Sequence, residues 1–337
     1  MNLGGTMNRF IIITLCVLLF AFSFLGCSSS KQSIESSSIS DENQRIQVVT
    51  SFFPLYDFAR MIGGDHVNVT NMVPAGVEPH DWTPKSQDMK LISEADVFIY
   101  QGAGFEGWTD DVLSGISSEN LLIIEASNGI ELLPATPEPE EHEHHGHDHE
   151  ELKNEQQSEL HDHGAYDPHT WLSPKSAIRM AENIFIGMKQ ADPAHASDYD
   201  TNFNKLSLEL TKLEQQYASQ LSNLTKKEIV VSHQAFGYLA RDYGLVQMPL
   251  MGIAAEAEPT AQNLKTISEF VREHDVKYIF TEQLLSDALA STLADDLGVN
   301  TLMLHSLEGL TSDEMSRNET YISLMEQNLN QLMKALR

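Results

Sequence analysis

The chain has 337 residues, with 49 acidic against 21 basic side chains and a formal net charge of −28 at pH 7. That balance argues against nucleic acid and anionic lipid as electrostatic partners and favours cations. Its two cysteines, Cys16 and Cys27, offer no disulfide framework and no cysteine-based zinc motif, so stability has to come from an ordinary core.

Asn8-Arg9 precedes the apolar run FIIITLCVLLFAFSFLG, and a polar, serine-rich stretch follows it. A short basic start, an apolar run and a small residue before a cleavage point describe an export signal. Phe24-Leu25-Gly26-Cys27 resembles a lipobox, with Phe24 where a small aliphatic residue is usual, and makes Cys27 the candidate lipidation site. The alternative is an uncleaved signal anchor. Both readings put the body outside the cytoplasm, membrane-anchored or periplasmic. The expected organisation is a signal over residues 1–26, a tether over 27–45, an N-terminal lobe over 46–193, a linking helix over 194–224 and a C-terminal lobe over 225–337.

From Ile46 the pattern becomes short β-rich runs alternating with amphipathic stretches. Strands are expected at Ile46–Thr50, Val67–Val73, Val97–Gln101 and Leu121–Glu125, with helices at Pro54–Gly63 and Lys85–Glu94. The alternation restarts later in the chain. Strands are expected at Glu228–Ser232, Gln247–Gly252, Lys277–Thr281 and Asn300–His305, and Ala261–Glu273 is the clearest helix of that half. Strands separated by helix-length segments imply parallel sheets, so the fold class is α/β with two similar lobes. Between them, Tyr199, Phe203, Leu206, Leu210, Leu213, Tyr217, Leu221 and Leu224 recur at spacings of three and four. This predicts one long helix packed along both lobes, in preference to a dimerising coiled coil.

Residues 138–163 hold seven of the fourteen histidines: His142, His144, His145, His147, His149, His161 and His163. They lie among carboxylates with almost no apolar residues, a composition that forms no core and captures borderline metals such as Zn²⁺. Four short motifs carry the remaining metal chemistry: Glu78-Pro79-His80, Asp167-Pro168-His169, Ser232-His233 and Glu308 in LHSLEGL. They are expected in loops at the carboxyl ends of strands, the edge where open α/β sheets bind ligands. Three imidazoles and a carboxylate make an N₃O set suited to tetrahedral Zn²⁺. Pro79 and Pro168 stiffen the backbone beside two of the histidines, and Asp167 and Glu282 are candidates to orient ligand imidazoles. Spacing alone does not join these residues, and a lone histidine near a strand end is more often a structural hydrogen-bonder.

From Ile46 to its end the chain resembles the metal-binding lipoproteins of ABC-type importers, in the zinc branch of the cluster A-I solute-binding proteins (ZnuA-like). The resemblance is carried by GVEPH at Gly76 to His80, DPHTWLSP at Asp167 to Pro174, SHQAFGYLA at Ser232 to Ala240 and LEGL at Leu307 to Leu310. It implies two α/β lobes joined by one long rigid helix, with metal in the cleft between them. It implies His80, His169, His233 and Glu308 as ligands, with Glu78 and Glu282 as rival carboxylates. His233 stands where manganese members place a carboxylate, which points to zinc. The expected function is capture of Zn²⁺ by a monomer and delivery to a membrane permease. The alternatives are a manganese- or iron-binding member of the same family, a secreted zinc hydrolase, and a zinc buffer or adhesin without a transport partner.

Overall fold

A computed structural model describes residues 45–116, 120–135, 165–255 and 259–337. The expected signal, Cys27 and the seven loop histidines lie outside the described residues. Among those residues no helix is long and apolar enough to cross a membrane.

In the first lobe β1 (Ile46–Thr50) leads into α1 (Phe53–Gly63), β2 (Val67–Asn71), α2 (Ser86–Glu94), β3 (Val97–Tyr100), α3 (Thr109–Gly115) and β4 (Leu122–Glu125). The strands are all parallel, in the order β2-β1-β3-β4. Central β3 reads VFIY and is buried along most of its length, as expected of a parallel strand covered on both faces. Pro54 sits in the first turn of α1, where its missing N–H costs nothing, and Gly64 ends the helix at φ 55°.

Two helices then join the halves: α4 (Pro174–Ala191) and α5 (Ala196–Ser222). The second lobe runs β5 (Glu228–Val231), α6 (Gly237–Tyr243), β6 (Val246–Pro249), α7 (Ala261–Glu273), β7 (Tyr278–Thr281), α8 (Ala288–Leu297) and β8 (Asn300–Met303). Its sheet is also parallel, with the matching order β6-β5-β7-β8. Short α9 (Ser312–Ser316) and α10 (Tyr321–Ala335) close the chain.

The long helix α5 has 27 residues, about 40 Å at 1.5 Å per residue. Its buried face is Tyr199, Leu206, Leu210, Leu213, Tyr217 and Leu221. Phe203 is only partly buried and stacks on Phe185 of α4 at 4.2 Å. The stripe packs against α1, α4, α6 and α10 of the same chain, which leaves no seam for a coiled coil. One continuous apolar cluster runs from Val48 and Phe58 through α5 to Ile229, Phe280 and Leu332. The lobes therefore share a core and are not independent beads on a linker.

The last helix departs from a simple two-lobe division. Its first N–H, on Tyr321, donates to Asp57 Oδ2 of α1 at 2.8 Å, and the Tyr321 ring lies 4.8 Å from Phe58. Thus α10 reaches across α5 to the first lobe. Expected strands also run shorter than predicted: Asn300–His305 ends at Met303. There the chain leaves the sheet to turn into the cleft.

Candidate metal centre

In each sheet the strand order reverses between two neighbours, β1 and β3 in the first and β5 and β7 in the second. A crevice forms outside the carboxyl ends at such points. His233 follows β5 and Glu282 follows β7, so this pair sits at the second lobe's reversal. Ser51 after β1 and Gln101 after β3 occupy the corresponding place in the first lobe.

His80 lies in the loop after β2, tied to the opposite lobe by Gly76 N–H donating to Leu310 O at 2.8 Å. Glu308 follows β8. His169 departs from expectation: it does not end a strand but opens the 3₁₀ turn Thr170–Leu172 ahead of α4, just after an isolated bridge between Pro134 and Tyr166. Gln101 anchors that turn, with Nε2 donating to Pro168 O at 3.0 Å and Thr170 Oγ1 at 2.7 Å. Gln101 is itself held by the buried carboxyl of Glu106, which accepts from Gln101 N–H at 2.7 Å and Ser51 Oγ at 2.6 Å. Burial raises Glu106 to about 7 against the pull of these donors.

The four motif residues meet. His80 Nε2 is 3.2 Å from His169 Nε2. Glu308 Oε1 lies 3.6 Å from His80 Nε2, 3.4 Å from His169 Nε2 and 3.3 Å from His233 Nε2. A tetrahedron with metal–ligand bonds of about 2.0–2.1 Å has edges of about 3.3–3.4 Å, so these separations fit one zinc-sized ion. His233 Nε2 and Glu308 Oε1 are buried without a hydrogen-bond partner, a costly arrangement unless something else engages them. Among the described residues this is the one set of three or more such side chains whose ligand atoms lie within 4.8 Å of one another.

The far sides of two rings are fixed. Asp167 Oδ1 accepts from His169 Nδ1 at 2.8 Å and from His169 N–H at 2.9 Å. Glu282 Oε1 does the same for His233, at 2.8 and 3.2 Å. In the neutral rings, with Nδ1 donating, each Nε2 turns its lone pair toward Glu308, the usual arrangement for a ligand histidine. Glu78 plays a different part. It accepts from the His80 backbone N–H at 3.3 Å. His80 instead packs edge-on against Phe105, with centroids 5.0 Å apart, and is the most exposed of the four at 10%.

Electrostatics follow from burial and crowding. Burial holds His80 below its ordinary value. Burial also opposes charge on His169 and His233, but Asp167 and Glu308 outweigh it for the first, while Glu282 and Glu308 lift the second well above the imidazole range. Burial likewise opposes charge on Glu308, yet His233 and the other two imidazoles hold it well below the usual carboxylate range. Burial, with the Glu308 charge adding, pushes Glu78 up to about 8. A cation entering the site therefore meets an ionised Glu308 and competes with a proton for His233. Replacing Glu282 by Ala should free the His233 ring and weaken zinc binding about 10–100-fold; competition titration against a chelator checks it, and an unchanged affinity would remove Glu282 from the site.

Among supporting residues, Gln101 and Glu106 belong to none of the four motifs. An acid just after a strand end, in VFIYQGAGFE, was the available signal.

Residues 48–335 match the family described as zinc-uptake complex component A, periplasmic (ZnuA), and the chain belongs to that family. It is 36% identical over 325 residues to the high-affinity zinc uptake system protein ZnuA of Bacillus subtilis, covering 96% of each chain. It is 35% identical over 288 residues to the zinc-binding protein AdcA of Streptococcus pyogenes serotype M3, covering 86% of this chain but 55% of that protein. The chain thus spans about half the length of that relative. The crystal structure of the Zn(II)-bound ZnuA-like domain of Streptococcus pneumoniae AdcA superposes with a TM-score of 0.72 at 33% identity, covering 87% of this chain and 99% of that one.

Proposed function

We propose that this protein captures Zn²⁺ in the cleft through His80, His169, His233 and Glu308, and hands it to an ABC-type membrane permease for uptake. The observation that carries the reading is the N₃O cluster, whose ligand atoms stand 3.2–3.6 Å apart along four of its six edges. Three imidazoles make a borderline donor set that suits zinc better than manganese, which prefers oxygen-rich sites. The names of the Bacillus and Streptococcus relatives support the same cargo.

Delivery, as opposed to hydrolysis, follows from the fourth donor. A catalytic zinc keeps an open position for water, whereas Glu308 closes this one. Asp167 and Glu282 hold the rings that bind, while Glu78 supports the His80 backbone. The His-rich segment, His142 to His163, would capture zinc weakly at high local concentration and pass it to the cleft. A lipid on Cys27 would keep the protein beside its permease, outside the cytoplasm.

Growth under zinc limitation tests this. A host lacking the gene should fail to grow at low zinc, recover with the intact chain and not with the His169→Ala variant. Normal growth of the deletion host at low zinc would defeat the transport reading and favour a buffer or adhesin.

A further inference from the structure

Glu308 enters the cleft from a turn whose backbone is unusual. Leu307 has φ 58°, a left-handed conformation that β-carbon sterics make rare for residues other than glycine. Its side chain is fully buried in the shared core, so the turn cannot relax by exposing it. What holds it is His305, two residues earlier. Leu307 N–H donates to His305 Nδ1 at 2.9 Å, the same i to i+2 closure that an Asn or Asp side chain makes in an Asx turn.

His305 is itself fixed through its backbone and enclosed around its ring. Its backbone N–H donates to Asn328 Oδ1 at 2.7 Å, and Asn328 Nδ2 donates back to His305 O at 2.8 Å. Its ring is 3% exposed, with Nε2 at 3.3 Å from Glu314 Oε1. Glu314 in turn closes the start of α9, its Oε2 accepting from Thr311 N–H and Thr311 Oγ1 at 2.8 Å each. Because Nδ1 accepts from a backbone N–H, the proton of the neutral ring sits on Nε2, facing that carboxylate. The other face of the turn is held from the first lobe by Trp171 Nε1 donating to Ser306 O at 2.8 Å. Ser306 Oγ then donates to Glu308 Oε2 at 3.2 Å, which leaves Oε1 for the three imidazoles.

We propose that His305 is a positioning residue for the metal site: by holding Leu307 left-handed, it presets Glu308 Oε1 at the point where the three imidazoles converge. This rests on the reading of Glu308 as a ligand. Without the Nδ1 acceptor, a buried N–H at Leu307 is left unpaired, and the turn has reason to leave its strained conformation and carry Glu308 away.

Two substitutions separate the ring's two nitrogens. His305→Asn places an acceptor where Nδ1 stands; His305→Gln places an amide near Nε2 and leaves the Nδ1 position empty. Each is made in the full chain, with and without Glu308→Gln, and Zn²⁺ alone is titrated against a chelator strong enough to report only the tightest site. His305→Asn should stay within about threefold of the parent, and His305→Gln should weaken zinc about tenfold or more. In the Glu308→Gln background that difference should vanish, because the effect runs through Glu308. Equal affinities for the Asn and Gln variants, or a difference that persists beside Glu308→Gln, would overturn the positioning role while leaving the ligand intact. A Glu308→Gln variant that binds zinc as tightly as the parent would overturn both.

Discussion

His169→Ala should cost at least about a hundredfold in zinc affinity. Structural zinc sites bind with roughly 10–16 kcal/mol, so an even share for one of four ligands is about 3 kcal/mol. His169 is the ligand for which that share is a lower bound. It is fully buried, its Nδ1 is held by Asp167 and its Nε2 faces both His80 and Glu308. Deleting it also leaves the buried Asp167 and Glu308 carboxylates with one fewer partner. Chelator competition on the purified variant reads the loss directly. Retention of parental affinity would mean that the cleft cluster is not where zinc binds.

Trp171→Ala should be the most destabilising single substitution near the site. The side chain is fully buried and touches Phe52 and Phe105 with centroids 4.7 and 4.9 Å away. Its indole N–H crosses to Ser306 O, and its backbone carbonyl accepts from Tyr321 OH at 2.6 Å. It therefore joins the first lobe to both the Glu308 turn and the last helix. Truncating a buried Trp costs about 3–5 kcal/mol, which for a chain of this size lowers Tm by on the order of 10 °C. Because the largest apolar cluster spans both lobes, the loss should appear as a single earlier transition in calorimetry. Two separated transitions would show that the lobes unfold independently and that the shared core does not couple them.

The periodicity of the chain was enough to place β1 and α7 at their observed ends, Ile46–Thr50 and Ala261–Glu273. It also placed the long helix, whose stripe fitted either both lobes or a coiled coil until its contacts with α1, α4, α6 and α10 were seen. The four ligand candidates were visible as motifs, and the resemblance joined them. Spacing did not join them, because residues 80 and 308 meet only after two parallel sheets have formed. The residues that hold the ligands in place were harder to read. Glu106 acts through the Gln101 backbone N–H, and the Gln101 side chain through a turn 67 to 69 residues away, and such bonds leave no periodic trace. His305 reads as a strand residue in NTLMLH, and only the left-handed Leu307 reveals why a histidine follows. Asp57, inside the expected helix Pro54–Gly63, likewise accepts from Tyr321 N–H, a partner 264 residues away.

The most direct measurement is a zinc titration by chelator competition on the chain lacking Glu138 to His163. If the cleft holds the metal, one tight site remains, and His169→Ala in that background removes it. No tight site on the shortened chain would place the zinc chemistry in the His-rich segment and contradict the four-residue cleft.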